Sequence, residues 1–133
     1  MTAPDLNSLT NEQLAQRFCD LSIEEFDAGL RNELKRQIRL ARAMIAVADV
    51  LESRGADALR VLLPLLSYQN AQVRLNAAKV LKPVERERAT ATLEELAKWG
   101  PSAQRGAAGM SLYYDEIGIS KASRLWRKAE TPE

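Results

Sequence analysis

Arg74-Leu75-Asn76-Ala77-Ala78-Lys79-Val80-Leu81 returns thirty-one positions later as Arg105-Gly106-Ala107-Ala108-Gly109-Met110-Ser111-Leu112, with Arg, Ala and Leu kept in place (74 to 105, 77 to 108, 81 to 112). Upstream, the same offset carries Ala58, Leu62, Leu65 and Tyr68 onto Ala89, Leu93, Leu96 and Trp99, all apolar and all at helical spacing. A fixed period of this length marks a supersecondary unit that cannot cover its own apolar face and must stack on copies of itself. The expected fold is all-α, built from helix pairs, with about six to seven helices in one domain over residues 1–133. No segment shows the two-residue alternation of a strand.

The punctuation around the repeat supports this reading. Gln69-Asn70 turns the chain between a helix over 57–68 and one over 71–82, and Pro83 ends the second. Gly100-Pro101 supplies the matching break one period later, between helices over 85–99 and 102–116. Pro64 lacks an N–H and is expected to bend the first helix of the better copy.

Toward the N-terminus, Thr10-Asn11-Glu12-Gln13 has the T-x-x-Q form of a capping box and starts a helix. Gly29 argues against that helix continuing unbroken, so Ser22 to Gly29 reads as a break or a short second helix. Residues 32–54 contain neither Pro nor Gly, and their apolar stripes at 34, 38, 41, 45, 48 and at 40, 44, 47, 51 suit a central helix contacted on two sides. Arg54-Gly55 closes it with a cation followed by a glycine suited to a positive-φ cap. The organisation expected is N-terminal helices over 10–54, the better repeat over 57–82, a degenerate one over 85–116, and a capping helix over 121–129 carrying Leu125 and Trp126.

Composition limits the function classes. Nineteen basic against eighteen acidic residues leave a net charge of +1, far from the balance of a dedicated nucleic-acid binder. The chain has no histidine and one cysteine, Cys19, which removes the commonest general base and metal ligand and any internal disulfide. No secretory signal and no membrane span are apparent. No metal, cofactor or membrane partner is expected, and the default location is cytoplasmic. There is no phosphate-binding glycine loop and no nucleophile elbow, so no enzyme is expected.

Leu62-Leu63-Pro64-Leu65-Leu66, a short polar turn, then Val73-Arg74-x-x-Ala77-Ala78-x-x-Leu81 resembles a HEAT repeat of the ARM/HEAT group. The resemblance covers residues 58–112 and is weaker in the second copy, where Pro101 takes the turn position and Gly106 and Gly109 enter the second helix. It implies a right-handed α-α superhelix of stacked hairpins that binds partners along its inner surface. It also implies a hydrogen bond from the Arg74 guanidinium to the side chain of the turn residue, here Asn70. The phrase Asn70-Ala71-Gln72-Val73-Arg74-Leu75-Asn76-Ala77-Ala78 further resembles a group of small bacterial single-domain proteins without an assigned activity.

On a helical wheel, Val73, Ala77, Val80 and Leu81 share one arc of residues 71–82, while Gln72, Asn76, Lys79 and Lys82 share the other. One side is expected to pack and the other to face water, leaving Leu75 exposed beside Asn76 and Lys79 as an anchor for a partner. Ala77, Ala78, Ala108 and Gly109 are expected where neighbouring helices approach closely. Cys19 reads as core, and of Tyr113 and Tyr114 one should pack and the other face solvent.

The expected partner is an unidentified protein or peptide, held by Arg42, Leu75, Asn76, Lys79 and Tyr114. The alternative is nucleic acid, with phosphates along Arg31, Lys35, Arg39 and Arg42, whose spacing of four, four and three puts them on one helix face. The plain reading of that stripe is a solvated face with Glu24, Glu25, Asp27 and Glu33 as counter-charges. Lys121, Arg124, Arg127 and Lys128 around Trp126 form a second basic cluster, best read as the surface of the capping helix.

Overall fold

The computed structural model describes residues 5–116 of the chain. The expected capping helix over 121–129, with its basic cluster and Trp126, lies outside the described residues. Among those described, all regular structure is helical: α1 Asn11–Leu30, α2 Leu34–Ser53, α3 Ala56–Leu59, α4 Ala71–Leu81, α5 Arg86–Trp99 and α6 Ser102–Glu116, with 3-10 segments over Leu6–Ser8 and Arg60–Ser67.

The capping box forms as its spacing requires. The Thr10 hydroxyl accepts from the Gln13 N–H at 3.1 Å and the Gln13 side chain accepts from the Thr10 N–H at 2.9 Å. The expected break over 22–29 does not occur, and α1 runs unbroken for 20 residues. Gly29 sits in its final turn, where a glycine costs little, and the Ser22 hydroxyl is absorbed by a 2.8 Å bond to the Phe18 carbonyl. The chain reverses at Arg31–Glu33, where Asn32 takes φ 57°, a conformation asparagine tolerates.

Arg54 caps the end of α2, and Gly55 follows at φ 109° and ψ 175°, a region open only to glycine. Pro64 acts differently from expectation. After one α-helical turn the chain tightens into a 3-10 stretch from Arg60 to Ser67, replacing the anticipated bend in an α-helix.

The packing pairs α1 with α2, the 3-10 stretch with α4, and α5 with α6, while α4 also contacts α1, α5 and α6. The central helix is therefore α4 and not α2. Of the two α2 stripes, Leu40, Met44, Val47 and Leu51 are buried, while Leu34 and Ile38 stay 65% and 44% exposed. The repeat is visible in the element starts, since α4 begins at Ala71 and α6 at Ser102, and α3 begins at Ala56 and α5 at Arg86. The paired positions Ala58 and Ala89, Leu62 and Leu93, and Ala77 and Ala108 are all buried, whereas Tyr68 and Trp99 are both exposed.

Two expectations about close approach separate here. Ala77, Ala78 and Ala108 are fully buried, but a Cβ at Gly109 would meet nothing within 4 Å, so that glycine marks no tight crossing. Nor does the side-chain bond from the Arg74 guanidinium to Asn70 form. The Asn70 carboxamide oxygen instead caps α4 by accepting from the N–H groups of Gln72 and Val73, and the Arg74 guanidinium donates to the Tyr68 carbonyl at 3.1 Å. The end of α4 is tied to α6 by the Lys82 ammonium, which donates to the Ser111 hydroxyl at 2.8 Å and to Asp115 at 2.6 Å.

Candidate functional site

Five polar side chains are buried among the described residues: Ser22 and Glu25 on α1, Gln72 and Asn76 on α4, and Gln104 on α6. A buried polar group is costly unless it is hydrogen-bonded, and these five satisfy one another. The Asn76 amide donates to the Ser22 hydroxyl at 3.0 Å and to Glu25 Oε1 at 2.8 Å. The Gln72 amide donates to Asn76 Oδ1 at 3.0 Å and sits 3.5 Å from Glu25 Oε2, while the Gln104 amide donates to Gln72 Oε1 at 2.9 Å. No buried side-chain nitrogen or oxygen among the described residues lacks a partner. The chain of bonds spans all three helix pairs.

Glu25 is the ionisable member. Burial pushes its carboxyl above the ordinary glutamate value, opposed by the Asn76 hydrogen bond and the nearby Lys79 charge. At the other end of the same helix turn, hydrogen bonds from Arg36 and then Arg31 hold Asp27 below the usual carboxylate range. Burial likewise raises the Cys19 thiol, which agrees with its reading as core.

The polar cluster forms part of the wall of a groove between α2 and α4. A cavity of about 650 Å³ at one end is lined by Glu25, Leu30, Gln72 and Gln104, and one of about 350 Å³ at the other by Asp49, Glu52 and Val84. Met44, Ile45, Asn76 and Lys79 line both, so the two are halves of one trough. α2 packs on α1 and α3, and α4 on α1, the 3-10 stretch, α5 and α6, which leaves the space between α2 and α4 open above α1.

α2 changes character around its circumference. At about 100° per residue, Gln37, Ala41 and Met44 face the groove, Leu34, Ile38 and Ile45 form its rim, and Arg42, Lys35 and Arg39 follow on the outer flank.

The expected site residues distribute unevenly over this surface. Lys79 lines the groove, and Arg42 lies exposed on the outer flank of α2. Leu75 and Asn76 line the groove but are only 2% and 3% exposed, so neither belongs to a wet face. The wheel failed because α4 is packed by α1, the 3-10 stretch, α5 and α6, and Gln72 and Asn76 of its polar arc found partners inside the protein. Tyr114 stands apart in the last turn of α6, 37% exposed, with its ring 6.0 Å from that of Tyr113. Both tyrosines are exposed, against the expectation that one would pack.

Of the basic stripe, Arg31 is engaged by Asp27 at 3.1 Å, while Lys35, Arg39 and Arg42 are exposed and make no ion pair among the described residues. Glu25, Gln72 and Gln104 had not been anticipated as site residues. A signal for Gln104 existed, because the thirty-one-residue offset maps it onto Val73, a fully buried position.

Residues 12–115 match the model of a family described as a domain of unknown function, DUF2019. The crystal structure of the protein RPA1889 from Rhodopseudomonas palustris CGA009 superposes with a TM-score of 0.80 at 38% sequence identity, covering 87% of this chain and 96% of that one. No match is found among curated proteins.

Proposed function

This chain belongs to the DUF2019 family, and from that premise we propose that it is a non-catalytic interaction module that holds a protein or peptide against the α2–α4 groove and the α2 rim. The observation that carries this reading is the groove itself: two helices that both pack on α1 but leave the space between them open, with Leu34 and Ile38 exposed along its edge. Exposed aliphatic side chains beside a groove with a few polar groups are the composition of a recognition surface. No described helix is long and apolar enough to cross a membrane.

A photo-crosslinking amino acid at Ala41, on the groove side of α2, tests this in the native host. Discrete adducts at Ala41 that are missing when the probe stands at exposed Glu94 on α5 are the expected result. Equal labelling at both positions would refute the reading.

A second reading follows from Lys35, Arg39 and Arg42 of α2, exposed and without an ion pair among the described residues, which suit a phosphate backbone. It predicts retention of DNA or RNA in an electrophoretic titration, weakening steeply with salt and lost on Arg39→Gln with Arg42→Gln. The near-neutral total charge and the engagement of Arg31 by Asp27 rank it second.

A further inference from the structure

The exposed edge of α2 carries its two signs of charge in separate halves. Lys35, Arg39 and Arg42 occupy the first half, Asp49 and Glu52 the second, and none of the five makes an ion pair among the described residues. The seam Lys35, Ile38, Arg42, Ile45, Asp49, Glu52 advances by three and four alternately. That is the 3.5-residue spacing with which one helix lies along another. All six are exposed or half-exposed, over about 26 Å of helix at 1.5 Å per residue.

A seam that is positive at one end and negative at the other complements itself when turned end for end. A two-fold axis midway between residues 43 and 44 would set Lys35 against the partner's Glu52, Ile38 against the partner's Asp49 and Arg42 against the partner's Ile45, each contact occurring twice, as in an isologous interface, with Arg39 and Arg42 within one helical turn of the partner's Asp49. Small Ala46, beside the seam near the axis, permits a close crossing. The parallel alignment would set like charges on each other and is disfavoured.

Resting on the interaction-module reading, we infer that the partner on this rim is a second copy of the same chain, docked through antiparallel α2–α2 packing. The apolar rim side chains Leu34 and Ile38 are then covered, and the charges are matched. The interface recognises an α-helix whose charge halves run opposite to those of α2.

Sedimentation equilibrium of the full chain tests this. The expected result is a concentration-dependent monomer–dimer equilibrium that weakens with salt. Glu52→Lys, which places a cation against the partner's Lys35, should weaken dimerisation roughly tenfold, since two contacts are reversed per dimer. Adding Lys35→Glu exchanges the charges and should restore the parent affinity to within about twofold, which a merely structural role for either residue does not explain. Both side chains are exposed, and circular dichroism checks that the variants fold.

A dimer indifferent to Glu52→Lys, or one the exchange fails to rescue, overturns the inference. A monomer at every concentration that still gives specific Ala41 adducts with another protein overturns it and leaves the preceding reading standing. A monomer without such adducts removes both.

Discussion

Glu25 shows what a buried ionisable side chain contributes when its neighbours are amides. Its carboxyl is raised from 4.5, so the folded state resists its ionisation, and stability is lost as pH rises from that value through the raised folded pKa. Urea denaturation of the parent should show this decline, and Glu25→Gln should flatten it. Asp27 acts with the opposite sign, because its depressed carboxyl adds stability that is lost only as pH falls below 3.8 through its folded value. The two windows do not overlap. Asn76→Ala removes the donor to both Ser22 and Glu25 and the acceptor of Gln72, at about 1–3 kcal/mol for each buried group left unpaired. A melting point within a degree of the parent would contradict that role. None of this network was legible from a helical wheel, which assumes that polar residues on a helix face water. Gln72 and Asn76 face one another and α1 instead. Only Gln104, polar at a core position of the repeat, carried a hint.

The elements themselves were better written into the sequence than their surroundings. Thr10 and Gln13 fix the start of α1, Arg54-Gly55 the end of α2, and Gly100-Pro101 the gap before α6, because each signal acts through a backbone group within four residues of itself. Gly55→Ala should cost about 1–3 kcal/mol, since φ 109° with ψ 175° strains any side chain. Ala77→Leu should cost about 1–3 kcal/mol through overpacking at a fully buried position. Gly109→Ala should be neutral or stabilise by up to about 1 kcal/mol, because its Cβ enters open space on a helix. Calorimetry of the three variants checks the ordering. Where local signals mislead, a wider context decides. Gly29 did not break α1 because it lies in the last turn, and Pro64 was absorbed by a 3-10 stretch that needs a different set of backbone bonds.

Across the whole molecule, the thirty-one-residue period located the paired starts of α4 and α6 but not the groove, whose walls come from five helices spread over residues 25–107. Which helix is central also escaped the sequence, since α2 has the longer apolar pattern but α4 has the more neighbours. Stability should follow the packing. In hydrogen exchange, amides in the middle of α4 should open only with global unfolding, while the first turns of α2, with Leu34 and Lys35 exposed, should exchange through local opening. Uniform protection across both helices would contradict this ranking.

The five linked side chains of α1, α4 and α6 have a consequence for alignment. Greasy surfaces slide past one another at little expense, and a stack held by leucine and alanine alone would tolerate several offsets between its tiers. A carboxamide finds its counterpart at one setting only, and a shift by a single turn would strand Glu25 without a donor. Ser22, Asn76, Gln72 and Gln104 thus act like the wards of a lock, admitting one offset and rejecting the rest.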